Sequence, residues 1–277
     1  MSIYKPVTVI TGASAGIGAE LAKVFAASGD EVAIVARREV ELNALADRIA
    51  RAGHRRPHVI PIDLGRVDSP ARIAHELLAR GLEPAVVVNN AGFGLLGDIN
   101  ELDRAEQLAM IDLNVRTLTD LSLRWIDSIT RNRGGILNVA SVAAFFPGPR
   151  MTVYYASKAY VLSFTEALHS ELKPRGVRVT ALCPGPVNTE FQARAGISAG
   201  LSGGFLGCSA ERVAREGYEG LLRGHRLVVP GFGNKLVTLL PRILPRGFLV
   251  AMVHNSQRSR GAAQAAEGWP RRPVKRP

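Results

Sequence analysis

With 277 residues, 47% of them hydrophobic and 21% charged, the chain can bury a sizeable core and has a soluble globular composition, not a disordered or fibrous one. Its net charge of +11 sits at one end: residues 223–277 hold eleven Lys/Arg against one acid, Glu267, so the nearly neutral body offers no basic surface for nucleic acid. Two cysteines, Cys183 and Cys208, do not suggest a disulfide framework and make a reducing cytoplasm the expected compartment.

The chain starts without the charged and apolar segments of a signal peptide. Val7-Thr8-Val9-Ile10-Thr11 is a β-branched run that reads as a buried strand. Gly12-Ala13-Ser14-Ala15-Gly16-Ile17-Gly18 follows, then a helix pattern to about Ser28, stopped by Gly29. Val32 to Ala36 is a second strand, leading into Arg37-Arg38 and a helix with Leu42, Leu45 and Ile49 on one face. His54 and His58 are separated by two arginines and Pro57, which reads as a solvated loop and not as a pair of metal ligands. His58 to Ile62 is the third strand, ending at Asp63-Leu64. A helix over about 70–80, a strand over 85–89 and one long helix over about 104–131 come next. A strand over 135–140, a helix running to Leu172, a strand over 177–182 and a last strand over 227–230 complete the series.

Strands alternating with helices at this pitch predict a doubly wound parallel sheet, a Rossmann fold. No linker divides it, so residues 1–231 read as one domain and 232–277 as a C-terminal extension. Ligands of such sheets bind outside the carboxyl ends of the strands. The informative residues are therefore those that follow each strand.

Gly12, Gly16 and Gly18 lie directly between the first strand and its helix. Glycines there let a backbone approach a pyrophosphate, and the helix N-terminus offers N–H groups. The second strand ends in Ala36-Arg37-Arg38 with no acid at its tip. A guanidinium suits a 2′-phosphate, which favours NADP(H) over NAD(H), with Ser14 as a further contact. Asp63 either accepts from an adenine amino group or caps the next turn. Asn89-Asn90-Ala91-Gly92 allows close backbone contact at the fourth strand end. Asn114, an unfavourable residue inside a helix, marks either a buried polar task or a satisfied core amide. Ser141 ends the fifth strand.

Tyr154 and Lys158 are four apart within one helix, so they share a face. A phenol titrates near pH ~10. A fixed cation beside it is expected to bring that value toward neutrality and make the pair a general acid/base.

Thr11 to Gly18, Asn89-Asn90-Ala91-Gly92, Asn114, Ser141, Tyr154-x-x-x-Lys158 and Pro184-Gly185, in this order, resemble the classical short-chain dehydrogenase/reductase family over about residues 5–231. The resemblance implies hydride transfer between a nicotinamide and a carbonyl or alcohol carbon, with Asn114, Ser141, Tyr154 and Lys158 as the catalytic set. Tyr154 would move the proton, Ser141 would bind the substrate oxygen, and Lys158 would tune Tyr154 and hold the nicotinamide ribose. Asn114 would support a water leading from Lys158 to solvent. Gly12, Ser14, Gly16, Ile17, Gly18, Arg37, Asp63, Leu64, Asn90, Ala91, Gly92, Pro184, Gly185, Val187 and Thr189 would contact an NADP-type cofactor, and a homodimer or homotetramer is the expected assembly.

The stretch about 190–208, with five glycines from Gly196 to Gly207, stands where the family's substrate loop lies. Its glycines predict either a lid that orders on binding or a disordered loop. Phe191, Ile197, Leu201, Phe205 and Leu206 in it favour a lipophilic substrate. The apolar residues of 234–253 are interrupted by Pro241, Arg242, Pro245, Arg246 and Gly247, too broken for a spanning helix. They are expected to cover the substrate cleft, to form a subunit contact, or to lie on an anionic membrane surface. Residues 268–277 read as a disordered basic tail. The expected function is an NADP(H)-dependent reductase of a medium-sized apolar ketone or aldehyde. Its alternatives are a membrane-surface lipid ketone reductase and a non-catalytic cofactor-binding regulator.

Overall fold

Seven strands form one sheet in the computed structural model, which describes residues 4–196 and 206–266, with side chains as far as residue 258. They are β1 (Lys5–Thr11), β2 (Val32–Ala36), β3 (His58–Pro61), β4 (Leu82–Asn89), β5 (Gly135–Val139), β6 (Arg178–Leu182) and β7 (Leu227–Val228). Their order is β3-β2-β1-β4-β5-β6-β7, and every pairing is parallel.

The helices follow in chain order: α1 (Gly16–Ala27), α2 (Glu39–Arg51), α3 (Ser69–Ala79), α4 (Arg104–Ile111), α5 (Leu118–Arg124), α6 (Ile126–Arg131) and α7 (Thr152–Leu172). Next are α8 (Glu190–Ala195), α9 (Ala210–Leu222), α10 (Phe232–Val237) and α11 (Arg246–Ala266).

Strand β2 shows why the sheet needs helices on both sides. Val32, Ile34 and Ala36 enter one core with Leu21, Phe25, Leu42, Leu45 and Leu221, from α1, α2 and α9. Ala33 and Val35 enter the opposite core with Ile73, Leu77, Leu121, Ile129 and Leu168, from α3, α5, α6 and α7. All five β2 residues are buried, as a strand covered on both faces requires. The doubly wound sheet read from the sequence is thus present.

The long helix expected over 104–131 is instead three helices. Between α4 and α5, Asp112–Thr117 form a π-helical turn, and at Trp125 the backbone (φ −117°) breaks α5 from α6. The wider turn carries Asn114, whose side chain is fully buried and bonded to the main chain of Phe93. Such one-turn bulges re-aim a residue that a regular helix would point elsewhere.

Strand β1 pairs with β2 on one side and β4 on the other, so the winding reverses between β1 and β4. A crevice opens beyond their carboxyl ends. Beyond β7, Gly231 (φ +84°) starts α10, a 3₁₀ turn spans Leu240–Arg242, and α11 runs back across the crevice. Leu249, Val253 and Gln257, spaced by four, are the buried stripe of α11 among its described side chains. Among the described residues no helix is long and apolar enough to cross a membrane. The glycines and apolar residues expected within 197–205, among them Gly200, Gly203, Gly204, Ile197, Leu201 and Phe205, lie outside the described residues. So does the tail 268–277.

Candidate active site

One cavity of about 1110 Å³ runs along the strand ends, from Arg37 and Arg38 to α11. A small-molecule site usually measures ~300–1,000 Å³. This one has room for a dinucleotide together with a second molecule.

At its first end, Gly12 (φ +66°) and Gly16 (φ +56°) adopt backbone that side chains disfavour. A Cβ on Gly12 would stand 2.8 Å from Ala91 Cα, so the chain there is stripped to the backbone. The first turn of α1 has no side-chain cap and no acid, which leaves its N–H groups and positive dipole end for an anion. Ser14, Ile17, Leu64, Asn90, Ala91 and Gly92 line the same stretch. Gly18 does not line the cavity. It lies beneath it, where a Cβ would meet Gly12 O and Asn90 Nδ2 at 2.4 Å.

Arg37 lies 4.0 Å from Asp63 and is more than half exposed. Asp63 Oδ1 accepts from the Gly65 N–H at 3.0 Å, so it caps the following turn while also lining the cavity. Arg38 makes more polar contacts than Arg37. It donates to Ser14 Oγ at 3.0 Å and pairs with Glu190 at 2.7 Å, so two arginines flank this end where the sequence singled out one.

Midway, three elements bring the expected catalytic side chains together. Ser141 follows β5, and its Oγ accepts from Ala143 N–H at 3.1 Å and hydrogen-bonds Tyr154. Tyr154 and Lys158 are both buried on α7, with Lys158 Nζ 5.9 Å from the Tyr154 ring centre. Nζ donates to Val139 O at 2.7 Å, which uses one of its three N–H groups. Pro184, Gly185, Val187 and Thr189 complete this part of the wall.

Asn114 does not line the cavity. It stands behind Gly92, where an added Cβ would meet Asn114 Oδ1 at 2.9 Å and Lys158 Nζ at 3.5 Å. Its Oδ1 accepts from Phe93 N–H at 3.1 Å, and its Nδ2 donates to Phe93 O at 2.9 Å and Ser157 Oγ at 3.1 Å. Both amide hydrogens are therefore committed.

The electrostatics correct one expectation. Burial pushes the Tyr154 phenol above its ordinary value, and the Ser141 hydrogen bond offsets this only partly. Burial also brings Lys158 down to about 8. The ammonium is desolvated itself, so it does not pull the phenol toward neutrality in the protein alone. Cys183, buried alongside, is pushed up to about 12 by burial and stays a neutral thiol.

The far end is mainly apolar, with Gln257 and Arg194 as polar members of its wall. Phe93, Met151 and Tyr154 share a cluster with Phe191, whose ring centre lies 5.4 Å from that of Tyr154. Val237, Leu240, Met252 and Val253 of the extension line this end, as the cleft-covering alternative for residues 234–253 expects. The sequence reading missed Arg38, Phe93 and, beyond residue 253, Ser256 and Gln257 of α11 as wall. The i, i+4 spacing of Leu249, Val253 and Gln257 was the available signal.

The family model for short chain dehydrogenases matches residues 6–198. A short chain dehydrogenase of Pseudocercospora fijiensis is 36% identical over 192 residues, which are 67% of this chain and 60% of that protein, so the chain spans well under the whole of this relative. A short-chain dehydrogenase from Sphingobium yanoikuyae in complex with NADPH superposes with a TM-score of 0.74 at 28% identity, over 98% of this chain and 99% of that one. A 3-ketoacyl-(acyl-carrier-protein) reductase from Brucella melitensis complexed with NADH gives 0.69 at 26% identity, over 82% and 98%.

Asn114→Leu removes every partner that the side chain gives the Phe93 main chain and Ser157. It is expected to cost about 2–4 kcal/mol, as buried unpaired polar groups do. A urea titration followed by circular dichroism measures this. A loss below about 0.5 kcal/mol would show that the network does not hold the site.

Proposed function

This chain belongs to the short-chain dehydrogenase family, whose members are oxidoreductases of alcohol and carbonyl groups, and from that premise we propose that it is an NADPH-dependent reductase of medium-sized apolar ketones or aldehydes. The observation that carries the reading is the single cavity joining the Gly12–Gly16 cradle to the Tyr154 hydroxyl and on to an apolar end.

The cofactor, when bound, supplies a hydride to the carbonyl carbon. Gly12, Gly16 and the open first turn of α1 fit its pyrophosphate, and Arg37, Arg38 and Ser14 fit a 2′-phosphate. Ser141 donates a hydrogen bond to the carbonyl oxygen and so favours charge developing there. Tyr154, held protonated by burial, gives its proton to that oxygen and leaves an alcohol. Lys158 stabilises the phenolate that results, and its remaining N–H groups suit ribose hydroxyls. Asn114 positions Phe93 and the Ser157 turn beneath Tyr154. The full tetrad disfavours a purely regulatory cofactor-binding protein.

By the same reading the subunits pair through α4, α5 and α7, where Ile111, Leu123 and Tyr160 are exposed. Free thiols at Cys183 and Cys208 suit a reducing cytoplasm. One observation favours a second version of the function, reduction at a membrane surface. Phe232, Ile243 and Phe248 are 70%, 78% and 58% exposed on the extension, beside Lys235, Arg242 and Arg246.

Four measurements test these statements. Tyr154→Phe is expected to lower kcat with NADPH and an apolar ketone by about a thousandfold or more while leaving NADPH affinity within a few-fold; substantial retained turnover overturns the assignment. Arg37→Ala and Arg38→Ala should each weaken NADPH by about tenfold or more and NADH by far less, read by fluorescence titration. Equal losses for both cofactors count against a phosphate role.

Lys158 holds its proton below about 8 and loses it as pH rises through that value. The kcat/KM of reduction is therefore expected to be flat on the acid side and to fall near pH 8, about tenfold per unit beyond. A profile flat well into the alkaline range contradicts the need for an ammonium. Phe232→Ser with Ile243→Ser should abolish co-sedimentation with phosphatidylserine vesicles; unchanged sedimentation removes the membrane version.

A further inference from the structure

Gln257 interrupts an otherwise apolar stripe. On α11 it follows Leu249 and Val253 at intervals of four and is 1% exposed. Both Gln257 and Tyr155 stand on the cavity wall. Gln257 Nε2 donates to the Tyr155 hydroxyl at 2.9 Å, across 102 residues of chain. Its other end, Oε1, is buried and accepts no hydrogen bond from any described residue. Among the described residues, the other buried side-chain atoms without a hydrogen bond belong to Asn89, Arg150 and Asn234, none of which lines the cavity. A carbonyl oxygen is buried bare at considerable cost unless something fills it.

The Tyr155 ring is held in turn. It packs edge-on to Tyr154, with centroids 6.1 Å apart at 78°. It also fills the space over Gly148, where a Cβ would overlap its Cγ at 2.0 Å. Tyr155 therefore fixes the Gln257 amide relative to Tyr154, the group proposed to protonate the carbonyl.

We infer that Gln257 is a specificity-determining residue, whose Oε1 accepts a hydrogen bond from a hydroxyl or amide N–H carried by the substrate on the Tyr155 side of the reacting carbonyl. The substrate class is then an apolar ketone with a second, hydrogen-bond-donating group. This rests on the reductase reading above and deepens it. Tyr155 is the positioning residue of the pair.

The test uses the full chain with NADPH and three ketones: a para-hydroxyphenyl ketone, its methyl ether, and the unsubstituted phenyl ketone. Wild type is expected to favour the hydroxy ketone over the ether by about tenfold or more in kcat/KM, because the ether leaves Oε1 unpaired. Gln257→Leu, similar in volume, should bring that ratio close to one. Tyr155→Phe should lower it in the same direction with the amide otherwise present, and thermal melting checks that both variants are folded. A ratio unchanged in Gln257→Leu, a wild-type ratio near one, or a preference for the ether overturns the proposal. Turnover of the unsubstituted ketone with no donor preference overturns it alone, whereas absence of turnover with all three while NADPH binds overturns the reductase reading as well.

Discussion

The cavity exists because two strand ends are stitched together at the point where the sheet reverses its winding. Thr11 Oγ1 donates to Val88 O at 3.1 Å and accepts from the N–H groups of Asn90 and Ala91 at 3.0 and 3.2 Å. Asn90 answers with its side chain, donating to Thr11 O and Gly12 O at 2.9 and 3.2 Å. The glycines follow from this seam. Gly12 and Gly18 have no room for a side chain because Asn90 and Ala91 already occupy the space. The cradle is thus a consequence of the stitch as much as a device for a phosphate.

The same seam reaches the proposed catalytic helix. After Ala91 the chain passes to Phe93, both of whose main-chain groups are held by Asn114. Asn114 also grips Ser157, whose hydroxyl donates to Tyr154 O at 2.7 Å. Hydrogen bonds and the short chain segment from Ala91 to Phe93 therefore link the end of β1 to α7. Buried networks of this kind are rigid when every member is satisfied, which holds Tyr154 in register with a cofactor seated on the glycines. Lys158 joins from the other side through Val139 O.

Most of this frame was legible in the sequence because it depends on short-range signals. β-Branched runs, strand-end glycines and the Tyr154–Lys158 spacing each mark a local geometry, and the parallel sheet follows from their alternation. Two features were not legible, for physical reasons. The π turn at Asn114 follows from a contact with Phe93, twenty-one residues away, and helical periodicity carries no record of it. The state of Tyr154 depends on how much water each charge loses. Spacing alone shows an ammonium beside a phenol, whereas burial acts on both and raises the one as it lowers the other.

The extension was the least legible part, since prolines and arginines obscured a helix whose buried face, among the described side chains, consists of Leu249, Val253 and Gln257. Its attachment shows why it belongs with the site. Asn234 at the start of α10 donates to Pro230 O at 2.8 Å and Leu206 O at 3.1 Å, and its amide packs on Gly185 so closely that a Cβ there would stand 2.3 Å away. Gly185 is also wall where a nicotinamide would lie. Leu206, the cavity wall at Gly185 and the first turn of α10 thus meet at one amide. A shift of α10 must therefore be felt at Gly185, because the Asn234 amide leaves no free space between them.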